Sequence, residues 1–252
     1  MVPSLNKTEF IGRTLQSIVD QKYPNIEVII LDGGSTDGTV EIIKNYASKY
    51  SWISWESKKD KGQVDAIDKG LEKASGQILT YINADDIYQA DALIKVGKYF
   101  TKNSGTLWLA GKGDIIDENG IRIANIIGKY KNHLLLLNNY SWLLTVNYLI
   151  QPSVFISKEA YQKYGPFSGT KASVMEYDLW LKLGKIAMPK ILDEYLSSFR
   201  LFRGSISTAN FKQLLMEDEK IAEKYTANQL ILAFHYLHNI GRIVVLYLLG
   251  VL

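Results

Sequence analysis

The sequence contains no cysteine, only three histidines and only five prolines. The absence of cysteine excludes disulfides and thiolate metal sites, and it fits a reducing compartment. Lysine and arginine total 29 against 26 acidic residues, and the net charge of +3 is too small to indicate a nucleic-acid partner. The 252 residues, 47% of them hydrophobic, are sufficient for one α/β domain with or without an appendage.

Long apolar runs are also lacking, and the first residues do not resemble a signal peptide. The most apolar segment is residues 228–252, where Arg242 is the only charged residue. His235, His238, Asn239, Gly241 and Arg242 interrupt this segment, so it is a poor candidate for a membrane-spanning helix. Three interpretations stay open: contact with a membrane surface, packing against a partner, or packing as a terminal core helix.

Two adjacent carboxylates follow an apolar run of strand length. Residues 78–82 (ILTYI) are followed by Asn83, Ala84, Asp85 and Asp86. Neighbouring carboxylates raise each other's cost of ionising, and a divalent cation removes that cost because Mg²⁺ and Mn²⁺ prefer oxygen ligands. A cation held by one or two carboxylates completes its coordination with water and substrate phosphates. The pattern therefore indicates a nucleotide diphosphate site; the alternative is a solvated loop that caps the next helix.

The first half of the sequence alternates the patterns of strands and helices. Asn6 and Glu9 have the spacing of a capping box, which predicts a helix over 8–20. Apolar runs and periodic faces predict strands over 26–31, 52–56 and 78–82, and helices after residue 38 and over 64–74 with Gly76 as C-cap. Short connections between them favour a right-handed, mostly parallel sheet. Residues 1–5 leave almost no room for the central first strand that this topology normally has.

The second half is less regular. It predicts a helix over 92–100, short strands within 107–127, a strand over 148–156 and a helix over 175–185. There is no internal repeat or Pro/Gly-rich linker. We therefore expect one catalytic domain over residues 1–207, followed by a helical tail over 208–252.

Three aspartates follow predicted strands of the first half. Ligands of such sheets bind beyond the carboxyl ends of the strands. Asp32 and Asp85 come at two of those ends, and Asp60 follows a third. We expect these carboxylates to lie at one edge of the sheet.

Several segments resemble, in order and spacing, those of family 2 glycosyltransferases. They lie within residues 3–207 and are PSLN at 3–6, SIVDQKYPNIE at 17–27, DGGSTDGT at 32–39, DKGQVDAIDKG at 60–70, NADD at 83–86, GPF at 165–167 and EYDLWL at 176–181. The resemblance implies the GT-A fold: a Rossmann-like, mostly parallel α/β sheet flanked by helices. It also implies transfer of a sugar from a nucleotide donor with inversion. The Gln-x-x-Arg-Trp motif of processive synthases is missing, which favours transfer of a single sugar.

The resemblance also implies roles for individual residues. Asp32 would hydrogen-bond the nucleobase, and Asp85 would hold Mn²⁺ or Mg²⁺ with Asp86 nearby. Glu176 would be the catalytic base, with Asp178 as its close competitor. The full donor-binding set is Pro3, Ser4, Asn6, Asp32, Gly33, Ser35, Asp60, Lys61, Gly62, Asp65, Asn83, Ala84, Asp85, Arg200 and Arg203.

The chain departs from the family pattern at three positions. Asn83 replaces the first acidic residue of the metal motif, Gly33 stands where a second aspartate is frequent, and Phe202 stands where histidine is frequent. Arg200 or Arg203 would then clamp the diphosphate.

The leading hypothesis is a metal-dependent hexosyltransferase of surface polysaccharide or glycolipid assembly. Its partners would be a nucleotide-sugar donor and a saccharide or lipid-linked acceptor, with no nucleic acid. We expect a cytoplasmic protein whose tail makes peripheral contact with the inner face of the plasma membrane. One alternative is a catalytically inactive nucleotide-sugar binding module. Another is a dinucleotide-dependent oxidoreductase, which the lack of a Gly-x-Gly-x-x-Gly motif disfavours.

Overall fold

The computed structural model describes residues 1–167, 174–202 and 211–248. Its first half contains a parallel sheet of β1 (Val2–Ser4), β2 (Val28–Asp32) and β3 (Ile53–Ser57), in that order. The alternating helices are α1 (Ile11–Val19), α2 (Thr39–Lys49) and α3 (Gln63–Lys73). All five residues of β2 are buried, as a strand covered by helices on both faces requires.

A strand does form before the first helix, so the prediction that residues 1–5 leave no room for it was wrong. Three residues suffice because β1 has partners on both sides. Val2 is in register with Ile30 of β2. On the other side the Met1 nitrogen donates to the Thr80 carbonyl at 3.0 Å, and the Ile82 nitrogen donates to the Met1 carbonyl at 3.0 Å. The short strand is therefore central, as the topology demands.

A second sheet of five strands follows. Its strands are β4 (Ile78–Leu79), β5 (Ile87–Tyr88), β6 (Trp108–Ile116), β7 (Val154–Ser157) and β8 (Lys190–Arg200), in the order β4-β7-β6-β8-β5. The β6–β8 pair is parallel and the other pairs are antiparallel. The predicted α/β fold with a Rossmann-like parallel sheet is confirmed, and the second half adds a mixed sheet.

Some predicted boundaries were wrong. The strand predicted over 78–82 ends at Leu79, and the short strands predicted within 107–127 are one strand, β6, followed by a turn. Helix α1 begins at Ile11 without Asn6 as its cap, because the Asn6 Oδ1 accepts a hydrogen bond from the Thr36 nitrogen instead. The C-cap of α3 is Ala74, not Gly76.

The remaining helices surround the second sheet. They are α4 (Ala92–Lys102), α5 (Asn125–Leu137), α6 (Tyr140–Thr145), α7 (Lys158–Tyr164), α8 (Met175–Ile186), α9 (Phe211–Tyr225) and α10 (Gln229–Leu248). Trp180 of α8 stacks on Trp108 of β6 with 5.7 Å between ring centroids, so this side chain packs in the core. Ala222 of α9 is fully buried in the same core, so α9 packs against the rest of the protein.

Helix α10 has its polar face inward and its apolar face outward. His235 is buried, and its Nδ1 lies 3.0 Å from the Leu144 carbonyl oxygen. Asn239 is buried beside it. Many of the large apolar residues of α10 are exposed, namely Leu230, Phe234, Tyr236, Leu237, Ile240, Val244, Val245, Tyr247 and Leu248. Within the described ranges, no helix combines the length and hydropathy that a bilayer crossing requires.

Candidate active site

A cavity of about 1100 Å³ opens at the carboxyl end of β1. Many of the predicted site residues line it, namely Pro3, Ser4, Asn6, Asp60, Gly62, Asn83, Ala84, Asp85, Glu176 and Arg200. The other predicted residues of the described chain are not part of its wall, namely Asp32, Gly33, Ser35, Lys61, Asp65, Asp86 and Asp178. Arg203 lies outside the described residues.

Asp32 organises the loop after β2. It is buried, and its Oδ1 accepts hydrogen bonds from the Gly34 and Ser35 nitrogens at 3.1 and 2.9 Å and from the Ser57 Oγ at 2.7 Å. Its Oδ2 accepts from the Ser35 hydroxyl. The Ser35 Oγ in turn accepts from the Asn6 nitrogen at 2.7 Å. Both carboxylate oxygens of Asp32 therefore hold the loop, and the geometry does not favour the predicted contact with a nucleobase.

Asp60 stands over Gly33. Its Oδ1 accepts from the Gly62 nitrogen at 2.8 Å, and a Cβ added to Gly33 would lie 3.2 Å from its Oδ2. The missing side chain at Gly33 thus leaves room for the carboxylate of Asp60 at the cavity wall. Asp65 lies on α3, where its Oδ2 is 2.6 Å from the Lys69 Nζ and accepts from the Lys61 nitrogen at 3.3 Å.

The adjacent carboxylates Asp85 and Asp86 point to different environments. Asp85 lines the cavity, and its Oδ2 is 2.6 Å from the Nζ of Lys7. Asp86 is fully buried and accepts from the Arg200 nitrogen at 2.7 Å and from the Asn83 Nδ2 at 3.2 Å. Burial, followed by the charge of Asp85, holds the pKa of Asp86 well above its usual range. The predicted place of Asp86 near the metal stays a prediction, and its side chain lies in the core and not in the cavity wall.

Arg200 connects the backbone of two loops through hydrogen bonds. Its Nε donates to the Asp85 carbonyl at 2.7 Å, and its Nη1 donates to the carbonyls of Asp117 at 2.6 Å and Glu118 at 3.0 Å. The side chain is buried, and burial lowers the pKa of the guanidinium. These contacts position the Asp85 backbone, and they leave Arg200 poorly placed for the predicted clamp on a diphosphate.

Glu176 and Asp178 both lie in the first turn of α8 but contact different groups. Glu176 lines the cavity, and its Oε1 accepts a hydrogen bond from the Tyr81 hydroxyl. Burial raises the pKa of Glu176, and the Tyr81 hydrogen bond opposes that shift. The Oδ1 of Asp178 instead accepts from the Lys224 Nζ at 2.9 Å and the Tyr225 hydroxyl at 3.0 Å of α9. The structure therefore brings Glu176, and not Asp178, to the cavity.

Sequence reasoning missed several residues of the cavity. Lys7 lines the cavity and forms an ion pair with Asp85, whereas Tyr81 lies behind the wall and donates its hydroxyl hydrogen bond to Glu176. Asn147 Oδ1, Gln151 Oε1 and Ser4 Oγ are buried atoms of the cavity wall that accept or donate no hydrogen bond within the described residues. Ser4 belongs to a motif and is part of the predicted donor-binding set, whereas Asn147 and Gln151 were not predicted. The amides lie in a loop whose spacing carries no signal, and only folding brings them to the site.

The residues of the cavity supply only part of the ligand set of a metal ion. In the part of the chain that the structure describes, no three histidine, aspartate or glutamate side chains cluster as ligands. Asp85 supplies one carboxylate, which already holds an ammonium group. One carboxylate completed by phosphate oxygens and water is an ordinary arrangement for Mg²⁺. The donor set therefore fits a cation that is shared with a bound diphosphate.

The geometry agrees with comparison to known proteins. Residues 1–165 match the model of glycosyl transferase family 2, and the chain belongs to this family. Relatives of this family with curated names include a putative teichuronic acid biosynthesis glycosyltransferase of Bacillus subtilis, 32% identical over 105 residues, which are 41% of this chain and 42% of that protein. The predicted membership is thereby confirmed.

Two other similar proteins bear on the ligands. A cholesterol galactosyltransferase of Borreliella burgdorferi is 36% identical over 88 residues, which are 35% of this chain and 25% of that protein. A mannosyltransferase of Pyrobaculum calidifontis, solved with GDP-Man and Mn²⁺, matches with a TM-score of 0.69 and 17% identity, over 93% of this chain and 67% of that one. The latter likeness shows the GT-A fold. The chain spans less than half the length of these two curated relatives.

Proposed function

We propose that the chain is an inverting, metal-dependent transferase that moves one sugar from a nucleotide-diphosphate sugar to a hydroxyl acceptor. The observation that carries this proposal is the presence of two carboxylates, Asp85 and Glu176, in the wall of one cavity. One has a cation partner and the other has a raised pKa. These are the properties that a diphosphate site and a general base require.

The donor would bind with its diphosphate at Asp85. Asp85 would hold Mn²⁺ or Mg²⁺, and the ion, when bound, would neutralise charge that develops on the departing diphosphate. Asn6 and Asp60 would contact the nucleoside from the same wall. Lys7 would act as the resident counter-ion of Asp85 and move to the diphosphate oxygens when the donor arrives. The GDP-Man and Mn²⁺ bound by the Pyrobaculum protein support this type of donor.

Glu176 would take the proton of the attacking acceptor hydroxyl. Its side chain is held by the Tyr81 hydroxyl and faces the cavity. Tyr81 is thus a positioning residue, since it orients the base and stabilises its charged form. Proton removal by a positioned side chain contributes about 10²–10⁴ in rate.

Ser4, Asn147 and Gln151 line the cavity, and small rotations of their side chains would turn their buried, unpartnered oxygens towards hydroxyl groups of a sugar. The Gln151 Nε2 donates to the Tyr81 carbonyl at 2.8 Å, which fixes the amide with its Oε1 free. An unpaired buried polar atom costs about 1–3 kcal/mol. A ligand rich in hydroxyl groups would remove that cost, whereas an apolar ligand would not.

The acceptor would be a saccharide or a lipid-linked saccharide of surface polysaccharide or glycolipid assembly. Exposed Val245 of α10 and exposed Tyr130 of α5 both line the cavity, so an apolar surface is continuous with the site. The outward apolar face of α10 would lie on the inner face of the plasma membrane. A relative named for galactosyl transfer to cholesterol shows that family resemblance extends to an enzyme with a lipid acceptor.

A catalytically inactive nucleotide-sugar binding module is the alternative, and the ion pair between Lys7 and Asp85 favours it if no metal displaces the ammonium. Release of nucleoside diphosphate separates the two. Nucleotide sugars would first be screened by thermal shift with Mn²⁺ and Mg²⁺, and donors that stabilise the protein would be tested for turnover. If donors bind but no nucleoside diphosphate is released from any of them in the presence of alcohol or saccharide acceptors, the binding module is the correct interpretation.

A further inference from the structure

A second group of cations lies in the cavity wall that α5 and α10 form. Lys131 of α5 and Arg242 and His238 of α10 all line this wall. The ring of His238 packs near that of Tyr130, with 6.2 Å between ring centroids. None of these residues belongs to a motif of the donor site.

The charges of this group do not cancel. The Nη1 of Arg242 is 2.6 Å from the Oδ2 of buried Asp218, so that carboxylate offsets one cation. No ion pair of the described residues includes Lys131, and residues 168–173, 203–210 and 249–252 contain no aspartate or glutamate. Among the described residues, the half-buried ammonium of Lys131 therefore has no carboxylate partner, which is costly without an anion.

The protonation states of Lys131 and His238 at pH 7 agree with a positive charge on Lys131. Burial, followed by the charge of Arg242, lowers the pKa of Lys131 to about 8, so that the amine still carries its proton at pH 7. Burial, followed by the charges of Arg242 and Lys131, lowers the pKa of His238 to about 4, so that its ring is neutral. The positive charge that Asp218 does not offset at pH 7 therefore lies on Lys131, beside the ion pair of Arg242 and Asp218.

Apolar side chains adjoin these cations. Ile126, Tyr130 and Val245 line the same cavity and are 85%, 41% and 36% exposed. They continue into the outward apolar face of α10, and no acidic residue follows Glu223 in the sequence. A cation beside an open apolar wall matches a ligand with an anionic group beside a hydrocarbon chain, whereas a free inorganic anion would leave that wall in water.

We propose that Lys131, next to the ion pair of Arg242 and Asp218, binds the phosphate group of an amphiphilic acceptor whose hydrocarbon chain lies along Ile126, Tyr130 and Val245. This inference rests on the proposed transferase function, since it specifies the acceptor of the same cavity. The phosphate would fix the amphiphile at the end of the cavity and direct its hydroxyl-bearing part towards Glu176.

Binding of dodecyl phosphate to the full chain, below its micelle concentration, tests the proposal by calorimetry. Lys131→Met keeps the apolar stem and removes the charge, so we expect on the order of tenfold weaker binding with no loss of thermal stability. Lys129→Met is the matched control, because Lys129 is an exposed neighbour on α5 that does not line the cavity. Ile126→Ser is expected to weaken binding of dodecyl phosphate but not of inorganic phosphate.

Three results would overturn the proposal. Equal weakening by Lys131→Met and Lys129→Met would indicate general attraction to basic helices. Inorganic phosphate binding as tightly as dodecyl phosphate would indicate a soluble anion, and dodecyl maltoside binding as tightly would indicate apolar docking alone. Binding of UDP and GDP with Mn²⁺ is measured in parallel: its absence in the wild type would contradict the transferase function, whereas its persistence in Lys131→Met is expected.

Discussion

The ammonium of Lys7 lies 2.6 Å from the carboxylate of Asp85, where we expect a divalent ion to bind. The same Nζ lies 5.2 Å from the centroid of the Phe202 ring. The main chain of Lys7 is fixed, because its nitrogen donates to the Thr39 Oγ1 at 2.8 Å. Its side chain has four rotatable bonds, so the ammonium can still move. An ammonium and a metal ion compete for one carboxylate, whereas both attract a diphosphate.

Lys7→Met is therefore expected to change two affinities in opposite directions. Mn²⁺ alone should bind about threefold to tenfold more tightly, because no ammonium has to be displaced, and UDP or GDP should bind about tenfold more weakly, because a cation is lost. Electron paramagnetic resonance of free Mn²⁺ and calorimetry of the nucleotides measure the two. Lys95→Met, which removes the 2.8 Å pair with Glu194 outside the site, should change neither. Two affinities that fall together would show damage to the fold instead.

Substitutions of Asp85 and of Asp86 are expected to have different effects, the first on turnover and the second on stability. Asp85→Asn should abolish metal-dependent turnover while thermal stability is kept, because the side chain faces the cavity. Asp86→Ala should lower the free energy of unfolding by about 1–3 kcal/mol, because the Arg200 nitrogen loses its acceptor. Initial rates with Mn²⁺ and chemical denaturation measure the two effects. An unchanged rate in Asp85→Asn would show that the metal binds elsewhere.

Glu176 and Asp178 are distinguished by their partners. Glu176→Gln should lower kcat by about 10²–10⁴ with donor affinity unchanged, since the neutral amide cannot accept the proton. Asp178→Asn should lower stability by about 1 kcal/mol or less, through the loss of its half-exposed pair with Lys224, and leave kcat nearly unchanged. Single-turnover kinetics separate chemistry from binding. The opposite pattern would assign the base to Asp178.

Tyr81→Phe is expected to move the acidic limb of the pH–rate profile. Glu176 must be ionised to act as a base, so kcat/KM should rise with pH through its pKa, which burial already raises. The Tyr81 hydrogen bond favours the ionised form, so its removal should raise that pKa further and shift the limb to higher pH. A lower plateau with the limb in its original place would mean that Tyr81 affects packing only.

The apolar face of α10 is expected to control association with membranes. Phe234 and Leu237 are 62% and 60% exposed, so Phe234→Glu with Leu237→Glu should reduce partition onto anionic vesicles severalfold without lowering thermal stability. Substitution is preferable to deletion of residue 227 onward, which would also remove the buried contact of His235. Sedimentation with vesicles measures partition. Equal partition of both proteins would refute the membrane-surface proposal.

The sequence by itself determined the family, the α/β class and most elements of the first half, because buried strands and amphipathic helices have local periodicities. The sequence also singled out Asp85 and Glu176 as candidate site residues. Each lies in a short motif, Asp85 after an apolar strand and Glu176 at the start of a helix. It could not place β1, because a three-residue strand depends on partners that lie far away in the sequence, at residues 28–32 and 80–82.

Only the tertiary structure decided which polar groups face the cavity. Asp85 and Asp86 are adjacent in sequence, yet Asp85 forms an ion pair with Lys7 and Asp86 accepts a hydrogen bond from the backbone nitrogen of Arg200. Burial and hydrogen bonding across strands separate their chemistry, and no local pattern encodes such contacts. For the same reason, His235 and Asn239 of α10 are buried while many of its large apolar residues are exposed: long-range partners such as Leu144 decide which face of the helix is buried.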